Sequence, residues 1–326
     1  MKIAATLFLL LIASCSHPSR NTVRIATIPV LDWFPVYLAM NLGYFREEGV
    51  AVEHEELNSG TKMMEALVAG SRDVDTNGLT YAVLMAAQGR RLKAFFNVYD
   101  GALSLVVVSP HSADRIRDVV SLKGATIGVG SLGGYQHRIL AFYLHRAGLR
   151  ESDVQLISIG AGATSVAAVQ HAKVDAAVMV GSSLRLLNKH VKGVRVLIDP
   201  RSRDRTKELF GADEFPAAMG LLATEKWLAQ NPQSARKLTR AMLRTLAWIR
   251  SHSPEEVLDW IPSHLRSDDR TLDLDHLRVL MALLSKDGRI SQSGAEAVQR
   301  VLAASMDSVQ SVNLASTWTN QFLDPQ

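Results

Sequence analysis

The segment best equipped for chemistry is a glycine-rich loop. Gly128, Gly130 and Gly133 spell G-x-G-x-x-G after an apolar run and before a helix-like one, with Glu151 and Asp153 about 20 residues on, which formally meets the dinucleotide fingerprint. Its simpler capability is to present backbone N–H groups at a helix N-terminus, where roughly half a positive charge favours an anion. Ser131 adds a hydroxyl, Gly134 and Tyr135 continue the loop into the helix, and a plain tight turn is the bland alternative. Ser59-Gly60-Thr61, just before Met63, offers a similar donor set or a simple N-cap. Trp33 and Phe34 offer rings that either stack on a ligand or merely cap the helix they begin. Asp32 beside them would repel an anion and favour an amine or ring N–H if it faces a pocket, but means nothing for selectivity if it only caps a helix. Catalytic signatures are missing: there is no H-E-x-x-H, P-loop or G-x-S-x-G, and the ten histidines do not cluster at metal-ligand spacing. His137 and His145 read as helix-face residues, Tyr44 and Phe45 as core.

These residues are placed by a pattern written twice. Arg24–Ile28 reads as a strand, Trp33–Glu47 as a helix, Val50–Glu53 as a strand, Met63–Ala69 as a helix, and Val74 as a short strand. The order recurs as strand Ala125–Val129, helix Tyr135–Ala147, strand Val154–Ile159, helix Thr164–Ala172 and strand Val174–Val180. Two such β-α-β-α-β units predict two parallel-sheet lobes. Leu92–Tyr99 and Leu103–Val108 read as strands passing between lobes and are the hinge candidates. The stretch Arg201–Phe215 reads as irregular, Met219–Ala223 as a returning strand, and the remainder as helical, with starts at Asn231-Pro232 and at the capping box Ser253-Pro254-Glu255-Glu256. Ligands of open α/β sheets collect beyond the carboxyl ends of the strands. That nominates Val30–Phe34 (with Leu31), Asn58–Thr61 and Thr76, Asn77 and Gly78 in the first unit. In the second it nominates Ser131–Tyr135, Gly160–Thr164 (Thr164 above all) and Val180, Gly181, Ser182 and Ser183, with Tyr99 and Asp100 at the hinge.

Length and charge fit this picture. The 326 residues suit two α/β lobes. The formal net charge of +4 falls to +3 without residues 1–14, whose only charged side chain is Lys2. Basic residues are interleaved with acids, so the clustered stripe a nucleic-acid binder needs is absent and no nucleic-acid partner is expected. Lys2 and the apolar run Ile3–Ala13 suit a signal peptide and fall short of the ~20 residues a membrane span needs. Leu11-Ile12-Ala13-Ser14-Cys15 resembles the lipobox of bacterial lipoproteins, with Cys15, the only cysteine, as lipid acceptor. The expected organisation is therefore a signal peptide over 1–14, a lipidated tether over 15–22, lobe one from 23–106 and 216–326, and lobe two from 107–215.

At this point the chain resembles a family, the periplasmic solute-binding proteins of nitrate, sulfonate and taurine-type transport systems (NMT1/THI5-like). Its recognisable pieces are Tyr37-Leu38-Ala39, the run Gly43 to Val50, Gly78-Leu79-Thr80 and Ala87-Gln88-Gly89, then Ser121-Leu122-Lys123-Gly124, Ile127-Gly128-Val129, Ala141 to Leu149 and Lys173 to Ala176, and finally Thr224 to Trp227 with Asn231-Pro232. The resemblance implies a type II periplasmic-binding-protein fold with the helical C-terminal region on lobe one. It also implies reversible capture by hinge closure, and an ABC permease and its ATPase as partners. A monomer with no cofactor is expected, held at the membrane through lipid on Cys15 in the periplasm or at the cell surface. The glycine loop directs the expected solute toward an anion: sulfonate, nitrate or organic acid. Asp32-Trp33-Phe34-Pro35 is similar to the opening of the branch that binds thiamine-precursor pyrimidines, although the asparagine and histidine usual after that proline are absent. A pyrimidine, other amine or heterocycle is thus the alternative ligand. An enzyme of pyrimidine-precursor synthesis and a ligand-sensing module for a membrane sensor are the alternatives of other classes.

Overall fold

The computed structural model describes residues 22–324; the signal-peptide and Cys15 expectations lie outside the described residues. Ten strands form two five-stranded sheets. The first holds β1 (Thr22–Thr27), β2 (Ala51–Glu56), β3 (Val74–Asn77), β4 (Leu92–Asn97) and β10 (Met219–Thr224) in the order β2-β1-β3-β10-β4. The second holds β5 (Ser104–Val108), β6 (Thr126–Val129), β7 (Gln155–Ser158), β8 (Ala176–Val180) and β9 (Arg195–Ile198) in the order β7-β6-β8-β5-β9. The two orders correspond position for position, so the duplicated pattern is a duplicated topology.

The two parallel cores expected from the β-α-β-α-β units are present, and each is extended into a mixed sheet. In each, three strands are parallel (β2, β1, β3 and β7, β6, β8), while the strand arriving from the other sheet, β10 or β5, is antiparallel to both neighbours. A strand that enters from across the cleft runs the opposite way to one fed by a helix of its own lobe. Central strands such as β5 (Ser-Leu-Val-Val-Val) and β8 (Ala-Ala-Val-Met-Val) are buried throughout. The edge strand β2 carries Glu53, Glu55 and Glu56, the charge that keeps an exposed edge from pairing with other chains.

Other departures have local causes. The helix expected over Trp33–Glu47 is divided into Phe34–Asn41 and Tyr44–Glu47 at Gly43, whose φ of 75° lies in the left-handed region that ends a helix. The stretch read as irregular contains a helix, Arg203–Phe210, started by Ser202 accepting from the Arg205 amide. β9 was not foreseen; it is a short edge strand with one fully buried residue, Ile198. The capping box at Ser253 is present, with Ser253 and Glu256 reciprocally bonded. The 20-residue helix Pro232–Ser251 buries Ala235, Leu238, Met242, Leu246 and Ile249 along one stripe, the 3.6-residue period of a helix covering a core. Among the described residues no helix is long and apolar enough to cross a membrane.

The chain crosses between sheets through Val98–Leu103 and again between β9 and β10. The crossings are tied together: the Phe215 amide donates to Asp100 O (2.7 Å) and the Val98 amide to Met219 O (3.1 Å).

Candidate functional site

Between the carboxyl ends of the two parallel triplets lies a cavity with about 50 Å3 open to the centre of a water molecule. Of the residues nominated by sequence, it brings together Trp33, Ser59, Gly60, Asn77, Ser131, Tyr135 and Val180, together with Val30, Asn58 and Ala161 of the nominated loops. Gly130 of the glycine-rich loop lines it too, and it adds Ile28, Tyr81, Leu103, Ser104, Gln136 and Ala218, which sequence reasoning did not place in a site.

Each wall is fixed from behind. The Trp33 indole N–H donates to Thr76 Oγ1 (2.9 Å), and Thr76 Oγ1 in turn donates to Ala26 O (3.1 Å), so the ring is held upright at the end of β1. Asn77 Nδ2 donates to Gly60 O (2.9 Å). A Cβ on Gly60 would lie 2.4 Å from Tyr81 Oη and 2.6 Å from Asn77 Oδ1, so only glycine allows those groups to reach the wall. Behind Asn77 sits Asp75, fully buried, accepting from the Asn77 amide (2.9 Å) and from Nδ2 (3.2 Å). Burial outweighs those two bonds and pushes its carboxyl up to about 7. From the other lobe, Gln136 Nε2 donates to Ser104 Oγ (3.3 Å). Burial raises the phenols of Tyr81 and Tyr135, so both are neutral donors. Thr61 Oγ1 and Ser131 Oγ are 2.8 Å apart across the cleft and join its rims.

Three amides of the glycine loop, expected to meet an anion, are already used. Gly130 N–H donates to Gln136 Oε1 (2.7 Å), Gly133 N–H to His137 Nδ1 (2.7 Å) and Gly134 N–H to Ser131 O (3.2 Å), while Tyr135 N–H approaches Tyr81 Oη (3.4 Å). With these donors satisfied internally, the glycines form a turn that aims Ser131 and Gln136.

The remaining nominees sit elsewhere. Leu31 and Phe34 are core residues with no exposure, Leu31 lying with Ser182 and Ser183 along a second hollow that adjoins the cavity. Gly78 packs on the backbone of Ala217 and Ala218, and Thr164 folds back on Ala161 O (2.9 Å). Asp100 is buried in the crossing, where desolvation raises its carboxyl and Asn97 Nδ2 donates to it (2.9 Å). Asp32 does not line the cavity. Its Oδ2 accepts from the Ser182 hydroxyl and, at 3.4 Å, from the Ser182 amide, at the start of the helix Gly181–His190 from the opposite lobe. Its Oδ1 meets His276 Nε2 at 3.0 Å, and Tyr99 Oη donates to its carbonyl (2.8 Å). Desolvation alone would raise this carboxyl, but His276, Ser182 and Arg185 more than offset it and hold it below the ordinary carboxylate range. Asp32 is thus an interlobe latch.

The cavity lining contains no arginine, lysine, histidine, cysteine or carboxylate. Three aromatic rings (Trp33, Tyr81, Tyr135), three carboxamides (Asn58, Asn77, Gln136) and three serine hydroxyls give it stacking faces and hydrogen-bonding groups without a charge.

Residues 31–257 match the family model described as NMT1/THI5 like. The riboflavin-binding protein RibY of Chloroflexus aurantiacus is 28% identical over 278 residues, covering 78% of this chain and 74% of that protein. The 4-amino-5-hydroxymethyl-2-methylpyrimidine phosphate synthase of Aspergillus parasiticus is 25% identical over 240 residues, covering 70% of this chain and 67% of that protein. Among solved structures, the periplasmic aliphatic sulphonate binding protein SsuA of Escherichia coli superposes with a TM-score of 0.68 at 20% identity, covering 94% of this chain and 100% of that one.

Proposed function

Because the chain belongs to the NMT1/THI5-like family, we propose that it is a solute-binding protein that captures a small, flat, uncharged heterocycle outside the cytoplasm and delivers it to an ABC importer. The observation that carries the reading is the cavity wall, aromatic and amide-rich, without a charged side chain and with the Gly130 and Gly133 amides beside it already bonded. A sulfonate or nitrate needs a cation or free N–H groups to replace its hydration; a ring with N–H and C=O edges needs stacking faces and carboxamides. Two relatives are named for a flavin and a pyrimidine, both planar heterocycles. The absence of a base or thiol from the wall favours capture over turnover. The interlobe contacts Thr61–Ser131 and Asp32–Ser182 suit a clamp that shuts on its solute. Export by the segment before Cys15 and lipid on that cysteine complete the proposal.

The test is a thermal-shift and titration panel containing riboflavin, 4-amino-5-hydroxymethyl-2-methylpyrimidine, aliphatic sulfonates and nitrate. A saturable rise in Tm with a heterocycle, lost on Asn77→Leu, is the expected result. Binding of a sulfonate or nitrate that is lost on Ser131→Asp, with no heterocycle bound, overturns it.

A further inference from the structure

Two of the three carboxamides on the cavity wall cannot turn. One end of a carboxamide accepts and the other donates two hydrogens, so a partner that can only accept, or only donate, fixes which end faces it. For Asn77 that partner is the Gly60 carbonyl, which can only accept: it takes one hydrogen of Asn77 Nδ2 (2.9 Å), and Asp75 Oδ2 takes the other (3.2 Å). Nδ2 is spent, and Oδ1 remains. It stands over the cavity-lining Gly60, 2.6 Å from where a Cβ there would lie. Asn77 is 1% exposed, yet its Oδ1, which no donor reaches among the described residues, is not sealed in the protein as Asn97 Oδ1 is, so the opening it keeps is onto the cavity that Asn77 lines. For Gln136 the fixing partner is of the other kind. The Gly130 N–H can only donate, and it takes Oε1 (2.7 Å). Nε2 is thereby turned to the other side, where one hydrogen goes to Ser104 Oγ (3.3 Å), itself on the cavity wall, and the second has no acceptor among the described residues. Asn58, exposed and without a side-chain bond among the described residues, is free to turn and selects nothing.

We infer that the wall reads polarity: Asn77 offers the solute an acceptor from one lobe and Gln136 a donor from the other, so the site selects an uncharged ring that carries both an N–H and an acceptor, a ring nitrogen or a carbonyl. This rests on the heterocycle reading above and narrows it. An amide that cannot turn to suit its partner makes the wrong group costly, because an acceptor set against a buried acceptor leaves both unsatisfied. Rings that offer only acceptors, or only donors, are therefore rejected even when their shape is right.

The experiment is calorimetric titration of wild type and Gln136→Met with three probes of one shape. They are 4-amino-5-hydroxymethyl-2-methylpyrimidine, its 4-methoxy counterpart, which keeps the ring nitrogens without the amino N–H, and 2-amino-4-methylbenzyl alcohol, which keeps the amino group on a ring without nitrogens. The aminopyrimidine should bind wild type at least about tenfold tighter than either of the others. Gln136→Met should abolish its advantage over the benzyl alcohol and leave its advantage over the methoxy compound. Equal binding of the aminopyrimidine and either analogue by wild type overturns the inference and leaves the heterocycle reading standing. If none of the three binds, the reading as a pyrimidine binder falls, and the polarity of the wall is decided in the unliganded protein by nuclear magnetic resonance of the side-chain amide hydrogens, assigned through Asn77→Leu and Gln136→Met. Both Asn77 hydrogens protected from exchange with water, and one of the Gln136 pair exchanging freely, is the expected pattern; an Asn77 hydrogen exchanging as fast as those of Asn58 overturns it.

Discussion

Asp75→Asn tests the buried wall of the cavity through pH. Asp75 has no exposure, and its carboxyl is pushed up to about 7 in the folded protein, against about 3.9 in an unfolded chain. Between those values the folded state holds a proton that the unfolded state has released. The stability this supplies is full below about pH 4 and is lost as pH rises through about 7. Across an interval of about three pH units, at about 1.4 kcal/mol each, the ceiling is about 4 kcal/mol, and relaxation around the charge brings the expected value to about 2–3 kcal/mol. Asparagine keeps the shape and cannot titrate, so subtracting its urea-unfolding free energies from the wild-type values at each pH cancels every other group. The difference should fall from pH 4 to 7.5 and then level. Parallel curves would refute the argument, showing that the bonds from Asn77 hold the carboxylate ionised at neutral pH.

Other outcomes follow from single contacts. Asp32→Ala leaves His276 and Arg185 facing an empty site and should cost about 3–5 kcal/mol in chemical denaturation, with small-angle scattering reporting a wider molecule. Thr61→Val removes the hydrogen bond across the cleft rims and should weaken solute affinity about fivefold, the equivalent of about 1 kcal/mol, with little change in the stability of the unliganded protein. Gly78→Ala puts a methyl group 2.4 Å from the Ala217 carbonyl, which cannot yield without moving the second crossing, so a loss of about 2 kcal/mol or more is expected in thermal melts. Trp33→Phe frees Thr76 of one partner while leaving its bond to Ala26 O, so it should reduce stacking affinity far more than stability.

The duplicated strand pattern made the two sheets readable, because apolar runs such as Val174–Val180 and Leu103–Val108 have few alternatives as buried strands. The direction of β5 and β10 was not readable, since periodicity does not record from which side a strand enters its sheet. At the site, the rule that loops gather beyond strand ends selected Ser59, Asn77 and Ser131 but not Tyr81 and Gln136. Those two lie one step further along, in the first turns of the helices Leu79–Ala86 and Tyr135–Arg146, and first-turn side chains lean back toward the helix N-terminus and so into the cleft. Phe34, which is wholly in the core, was nominated by treating a loop as if all its side chains faced one way. Asp32 was ambiguous for a different reason: its partners Ser182 and His276 are 150 and 244 residues away, and no local pattern carries that information. The glycine spacing records a turn, whereas the acceptors that take up the Gly130 and Gly133 amides, Gln136 and His137, lie in the helix that follows and cannot be read from the glycines.

The exchange of strands sets an order of assembly. Among the strands β4 pairs only with β10, which lies between it and β3, so the first sheet stays split, with an empty slot, until residue 224 is available. The second sheet draws only on β5 to β9 and has every strand it needs by residue 198. In a chain that emerges N-terminus first, the half begun later is therefore the half completed first, and the earlier half must wait, its β3 edge open, for a strand threaded back from beyond its neighbour.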